Sequence, residues 1–140
     1  MYSCPKNALE GKFSVEFCVA IAFIDGKASL EQFTNERVSD PTVQELISKT
    51  KYVHLSEFER TQMGEIVVKL RDSQCYARKV ERAKGTPQNP LSWGGVSRKY
   101  YDCAQSSMPK QEIDHCLEMI SKLESIKDIT ELMNLITFHR

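Results

Sequence analysis

From Phe13 to Ile24 the chain reads FSVEFCVAIAFI, and only Ser14 and Glu16 interrupt the apolar residues. No Pro or Gly breaks the run, and Asp25-Gly26 ends it. An uninterrupted apolar run of this length suits a helix better than a strand. A helix that is apolar nearly all round must be covered on most of its sides. The run is too short to cross a bilayer, which takes about 20 apolar residues. It therefore predicts a central helix over about 13–25, and the rest of the sequence supplies few elements to surround it. An exposed apolar patch is expected from that imbalance. Self-association, as a two-fold dimer or by exchange of an N-terminal arm, is its simplest cure.

The 140 residues suggest one domain over 1–140. A chain of this size buries about two thirds of its unfolded surface, enough for a core. Lysine plus arginine and aspartate plus glutamate number 19 each. Zero net charge provides no steering field for nucleic acid or an anionic membrane. The start, Met1-Tyr2-Ser3-Cys4-Pro5, has neither the basic region nor the apolar region of a secretory signal. The cysteines, at 4, 18, 75, 103 and 116, form no C-x-x-C pair. Such an odd, scattered set reads as reduced thiols of a cytoplasmic protein. His54, His115 and His139 stand far apart without clustered partners, so no metal site is expected.

Residues 1–11 hold Pro5 and few apolar groups and read as an arm. After the central helix, Ser29–Phe33 suits one helical turn. Asp40 is a natural N-cap with Pro41 at the first helical position, where a missing N–H costs nothing. Val43, Leu46 and Ile47 then share a face, predicting a helix over 41–49. Strands are expected over 51–55, over 65–71 with Ile66, Val68 and Leu70 on one face, and over 74–82, the last two as a hairpin. Gly85, Pro87 and Pro90 make 83–91 a loop. Three helices follow. One spans 92–105 with Trp93, Val96, Tyr100 and Cys103 on one face. A second spans 108–126 with Ile113, Cys116, Leu117, Ile120 and Leu123 together. The last, 129–138, starts at an Asp128/Glu131 capping box and carries Ile129, Leu132, Met133 and Ile136. The fold class is α+β, a small antiparallel sheet packed against helices.

Few side chains form a catalytic pattern. Ser14 has no neighbouring base to activate it and reads as a helix-start hydrogen-bonding residue. His54 and His115 read as surface or half-buried side chains, since a general base needs a pocket and a partner. Arg78, Lys79, Arg82 and Lys84 make a basic cluster. With a neutral chain and only Tyr76 interleaved, a solvated sheet edge explains the cluster better than nucleic-acid binding.

Several segments together resemble one family. Glu10-Gly11-Lys12-Phe13-Ser14, the apolar run and Asp25-Gly26 are similar to the E-A-(K/R)-(F/H)-S … V-A-x-A-L-x-D-G segment of the MmgE/PrpD family. Gln32-Phe33-Thr34 and Asp40-Pro41-x-Val43-x-x-Leu46 resemble its next segment. Gly85-Thr86-Pro87-Gln88-Asn89-Pro90-Leu91-Ser92 is similar to its G-x-P-x-N-P-(L/M)-(S/T) loop. Lys99-Tyr100 stands where the family usually has Lys-Phe. The resemblance runs nearly end to end but matches only the family's C-terminal lid domain.

That resemblance implies a lid from an enzyme such as 2-methylcitrate dehydratase, cis-aconitate decarboxylase or iminodisuccinate epimerase. The strand that precedes the first buried helix in the family is not matched here. The reaction implied is loss of water or CO2 beside a carboxylate, begun by proton removal through side chains, with no metal or organic cofactor. The substrate is a small di- or tricarboxylate. Lys12 and Ser14 of the motif, and Phe17 after it, are the implied substrate-binding positions, and none of them is a catalytic candidate. Decarboxylase-like relatives have Tyr where this chain has Phe17, which can donate neither a proton nor a hydrogen bond. Either the site differs or Phe17 is simply a core residue, the reading its own chemistry favours. The larger helical domain supplies most of the active site in the family, so these residues alone are expected to be inactive. The alternative is a non-catalytic interaction or oligomerisation module that kept the lid fold.

Overall fold

The computed structural model describes residues 2–53 and 64–137. It divides into two compact units, Met1–Pro90 and Leu91–Arg140.

In the first unit, α1 (Ala8–Lys12) occupies the segment read as an arm. Asn7 caps it by accepting from Glu10 N–H at 2.9 Å, and Glu10 reaches back to Lys6 N–H at 2.8 Å. The central helix is α2 (Val15–Asp25). Ser14 caps it, and Gly26 ends it in the left-handed conformation at φ 69°. A short 3-10 turn at Leu30–Gln32 leads to α3 (Asn35–Val38) and α4 (Pro41–Lys49). Asp40 caps α4 through Thr42 N–H at 2.8 Å, with Pro41 at the first position as expected.

The core of this unit joins one side of α2 to α3 and α4. Phe17, Ala20 and Ile21 meet Val38, Val43 and Ile47, with Phe33 and Leu46 at the margin. The rings of Phe17 and Phe33 lie 5.7 Å apart between centroids, tilted by 58°. The other side of α2 is only partly covered. Among the described residues Val15, Cys18 and Val19 are half-buried, while Ala22, Phe23 and Ile24 are exposed, Phe23 by 59%.

Strands β1 (Gly64–Lys69) and β2 (Cys75–Val80) form the expected antiparallel hairpin, with Val67 opposite Ala77. Its loop closes through Ser73 N–H to Leu70 C=O at 3.1 Å and Leu70 N–H to Gln74 C=O at 2.8 Å. Ser73 adopts φ 70°, the left-handed residue that a loop of this kind requires. The α+β class holds, with both faces of the hairpin largely exposed. Of the strand expected over 51–55, residues 51–53 carry no regular structure, and 54 and 55 lie outside the described residues.

The second unit holds α5 (Trp93–Ala104), α6 (Lys110–Ser121) and α7 (Thr130–Ile136). Its core is Met108, Ile113, Cys116 and Leu132, flanked by Tyr100, Tyr101, Ala104 and Leu135. Three expected faces are corrected here. On α5 the packed residues are Tyr100, Tyr101 and Ala104, while Trp93 is exposed by half and Cys103 is exposed. On α6, Leu123 falls beyond the helix end and is exposed. On α7, Leu132 and Leu135 face inward, while Ile129 and Met133 are exposed. Asp128 does serve the start of α7, accepting from Thr130 N–H at 2.9 Å. Glu131 instead faces His115, at 3.5 Å from Nε2. The Tyr100 hydroxyl is pushed up to about 12 by burial and by its contact with Cys116.

Candidate functional site

The less covered side of α2 forms one wall of a concavity of about 820 Å3. Val15, Cys18, Val19 and Ala22 line it along the helix, and Ile66 of β1 joins them. Lys12, Phe13 and Ser14 lie at the end where α1 meets α2, and Tyr2 sits beside them. Tyr2 is held there by its N–H, which donates to Phe13 C=O at 3.2 Å. The lining is almost wholly apolar, with one cation.

Two of the three implied binding positions meet in this concavity. Lys12 is exposed at one end of it and makes no ion pair among the described residues. Ser14 is buried, and its Oγ accepts from Phe17 N–H at 3.1 Å. The same hydroxyl donates to Glu16 Oε2 at 3.4 Å. Ser14 thus fixes the start of α2, as its position in sequence suggested. Phe17 is turned the other way, fully buried against Gly11, Val38 and Phe33. It stands behind the wall of the concavity.

Two features were missed in the sequence. Cys18 lies in the concavity, with its thiol pushed up chiefly by burial and its Sγ 3.9 Å from Gly11 C=O. Arg37 of α3 ties the end of α2 to the start of α4. Its Nε donates to Asp25 Oδ2 at 3.3 Å and its Nη1 to Asp40 Oδ2 at 2.5 Å, while Nη2 also pairs with Asp25. The Asp25 hydrogen bond above all holds the guanidinium further up its already high range. The Asp40 carboxyl is held below the usual aspartate range, first by Thr42 N–H. No signal at fixed spacing announces such a network. The network braces the helices that position α2 and lies outside the concavity.

His54 and His139 lie outside the described residues. Among the described residues, no group of three His, Cys, Asp or Glu side chains could hold a metal ion. No described helix is long and apolar enough to cross a membrane. Among the described residues, the concavity is lined by apolar side chains and one lysine, with no acid–base pair.

The model of the MmgE/PrpD C-terminal domain matches residues 3–125. The chain belongs to the MmgE/PrpD family. It is 24% identical over 136 residues to a cis-aconitate decarboxylase of Mus musculus, covering 94% of this chain and 28% of that protein. A cis-aconitate decarboxylase-like protein of Aspergillus oryzae is 26% identical, covering 95% of this chain and 28% of its own length. A cis-aconitate decarboxylase of Aspergillus terreus is 23% identical over 138 residues. The chain spans 28% of the length of these relatives.

Proposed function

We propose that this chain is the lid of an MmgE/PrpD-type lyase acting on di- or tricarboxylates. It is inactive without the helical region that makes up most of such an enzyme. The observation that carries the reading is the exposed Lys12, without an ion pair among the described residues, at one end of an apolar concavity along the less covered side of α2. In this reading that face of α2 meets the catalytic region across the substrate. The Lys12 ammonium offsets a substrate carboxylate at that end. Val15, Val19 and Ala22 exclude water from the reacting centre, as a closing element does. Ser14 caps the start of α2, two residues after Lys12 at the end of α1. Phe17, without a hydroxyl, supports the wall from behind.

The relatives' name makes cis-aconitate the first substrate to try, and 2-methylcitrate the second. The reaction is lyase chemistry begun by proton removal. It takes no cofactor from this chain, and its acids and bases lie in the catalytic region. The protein works in the cytoplasm as a homodimer, with no part in nucleic-acid or membrane binding. A second reading, a non-catalytic interaction module, draws support from Phe17 at a position implied to be Tyr in decarboxylases. Incubating the chain with cis-aconitate and with 2-methylcitrate separates a lid from a complete enzyme. No turnover is expected, and turnover that survives repurification would refute the lid reading.

A further inference from the structure

We propose that the outer edge of β1 is a self-pairing surface, where two copies join antiparallel about Val67 into a four-stranded sheet. The proposal deepens the homodimer reading above and rests on it only for the number of chains.

A lone two-stranded hairpin is marginally stable in water. This one exposes Ile66 by 49%, Val67 by 52%, Tyr76 by 57% and Val80 by 48%. Its two edges differ. β2 carries Arg78 and Lys79 and runs on to Arg82 and Lys84, charges that discourage further pairing. β1 carries Ile66-Val67-Val68 between Glu65 and Lys69. Among the described residues, no strand other than β2 pairs with β1.

The hydrogen-bond phase decides which groups face that free edge. Leu70 N–H donates to Gln74 C=O at 2.8 Å, so Leu70 turns its backbone toward β2. Antiparallel ladders alternate. Ile66 and Val68 therefore also face β2, and Glu65, Val67 and Lys69 present N–H and C=O outward.

A two-fold axis at Val67 sets Val67 against Val67 of the second copy. Glu65 then faces Lys69 of the second copy, and Lys69 faces its Glu65. Each outward residue meets an outward residue, so all their backbone groups are paired. Both charged pairs are complementary, and neither Glu65 nor Lys69 has an ion pair among the described residues. Glu65 also lies opposite Lys79 within the hairpin, which gives its carboxylate a cation on each side. On the other face, Ile66 meets Val68 of the second copy and joins the two apolar stripes. A shift of one residue sets outward groups against inward ones. A shift of two leaves a charge opposite Val67.

Light scattering over a concentration series tests the register. The wild-type chain is expected to dimerise. Glu65→Lys or Lys69→Glu alone sets like charges opposite each other twice and should weaken the dimer about tenfold or more. The double variant Glu65→Lys/Lys69→Glu should restore it, and mixing the two single variants should give a heterodimer. Val67→Pro removes an outward N–H without touching the β1–β2 ladder and should leave monomers. A dimer indifferent to the single reversals, or reversals that neither mixing nor the double variant rescues, would overturn this edge and leave the homodimer standing. A strictly monomeric wild type at high concentration would overturn both.

Discussion

Gly11 of α1 lies so close to Phe17 of α2 that a Cβ at position 11 would sit 3.2 Å from two ring carbons. The same Cβ would lie 3.1 Å from Val38 Cγ2. Phe17 and Val38 are both buried in the core, so a Cβ there would force one of them to shift by a few tenths of an ångström. Gly11→Ala should therefore destabilise the chain by about 1–3 kcal/mol, more than its gain in helix propensity. Phe17→Ala should cost about 3–5 kcal/mol by opening a cavity. Urea unfolding checks both. A stabilised Gly11→Ala would show that the contact relaxes easily.

The two sides of α2 should respond in opposite ways to a charge. Ala20 is fully buried, and Ala20→Glu should cost about 3–5 kcal/mol, since the carboxylate has no partner there. Val15 lines the concavity, and Val15→Glu should leave the fold intact. Circular dichroism distinguishes them. Equal loss of helix in both would mean that the Val15 side is covered as well.

Acid should weaken the fold through Asp40. Its carboxyl is held below the ordinary aspartate value of 3.8, first by Thr42 N–H and further by Val43 N–H and Arg37. A lowered folded value means that the contribution is complete above the unfolded value. It is lost as pH falls through the folded one. Glu45, paired with Lys49, and Glu118, paired with Lys122, shift in the same direction. Stability should thus hold above about pH 5 and decline below about pH 4. Asp40→Asn keeps an oxygen for Thr42 N–H and should flatten that decline. An unchanged acid limb in Asp40→Asn would remove Asp40 from the account.

The thiols should react in order of exposure. All five cysteines are free: Cys4, Cys75 and Cys103 are exposed, Cys18 is half-buried and Cys116 is buried. A thiol reagent should label the three exposed ones quickly. Cys18 should follow slowly, because burial raises its thiol. Cys116 should react only on unfolding. A denatured, unreduced count below five would reveal a disulfide.

What could be read from the sequence was what is local. The Asp40-Pro41 start of α4, the Ser14 and Gly26 ends of α2 and the β1–β2 hairpin all follow from residues close in the chain. Lys12 and Ser14, the positions that the motif implies, both line one concavity. The reading of Phe17 as a core residue agrees with its full burial against Val38 and Phe33. What failed depended on partners far along the chain. The face that α5 buries is set by Met108 and α6, which favour Tyr100, Tyr101 and Ala104 over Trp93 and Cys103. The Arg37–Asp25 pair joins residues 12 apart, with no periodic signal.

In the proposed function, the Lys12 end of the concavity receives a substrate carboxylate. Titration of the isotope-labelled chain with cis-aconitate, followed by amide chemical shifts, tests it most directly. Saturable shifts should concentrate at Lys12, Phe13, Ser14 and Val15 and vanish in Lys12→Ala, whose spectrum should otherwise be unchanged. Shifts confined to the basic residues Arg78–Lys84, or no shift around Lys12 at any concentration, would contradict the account.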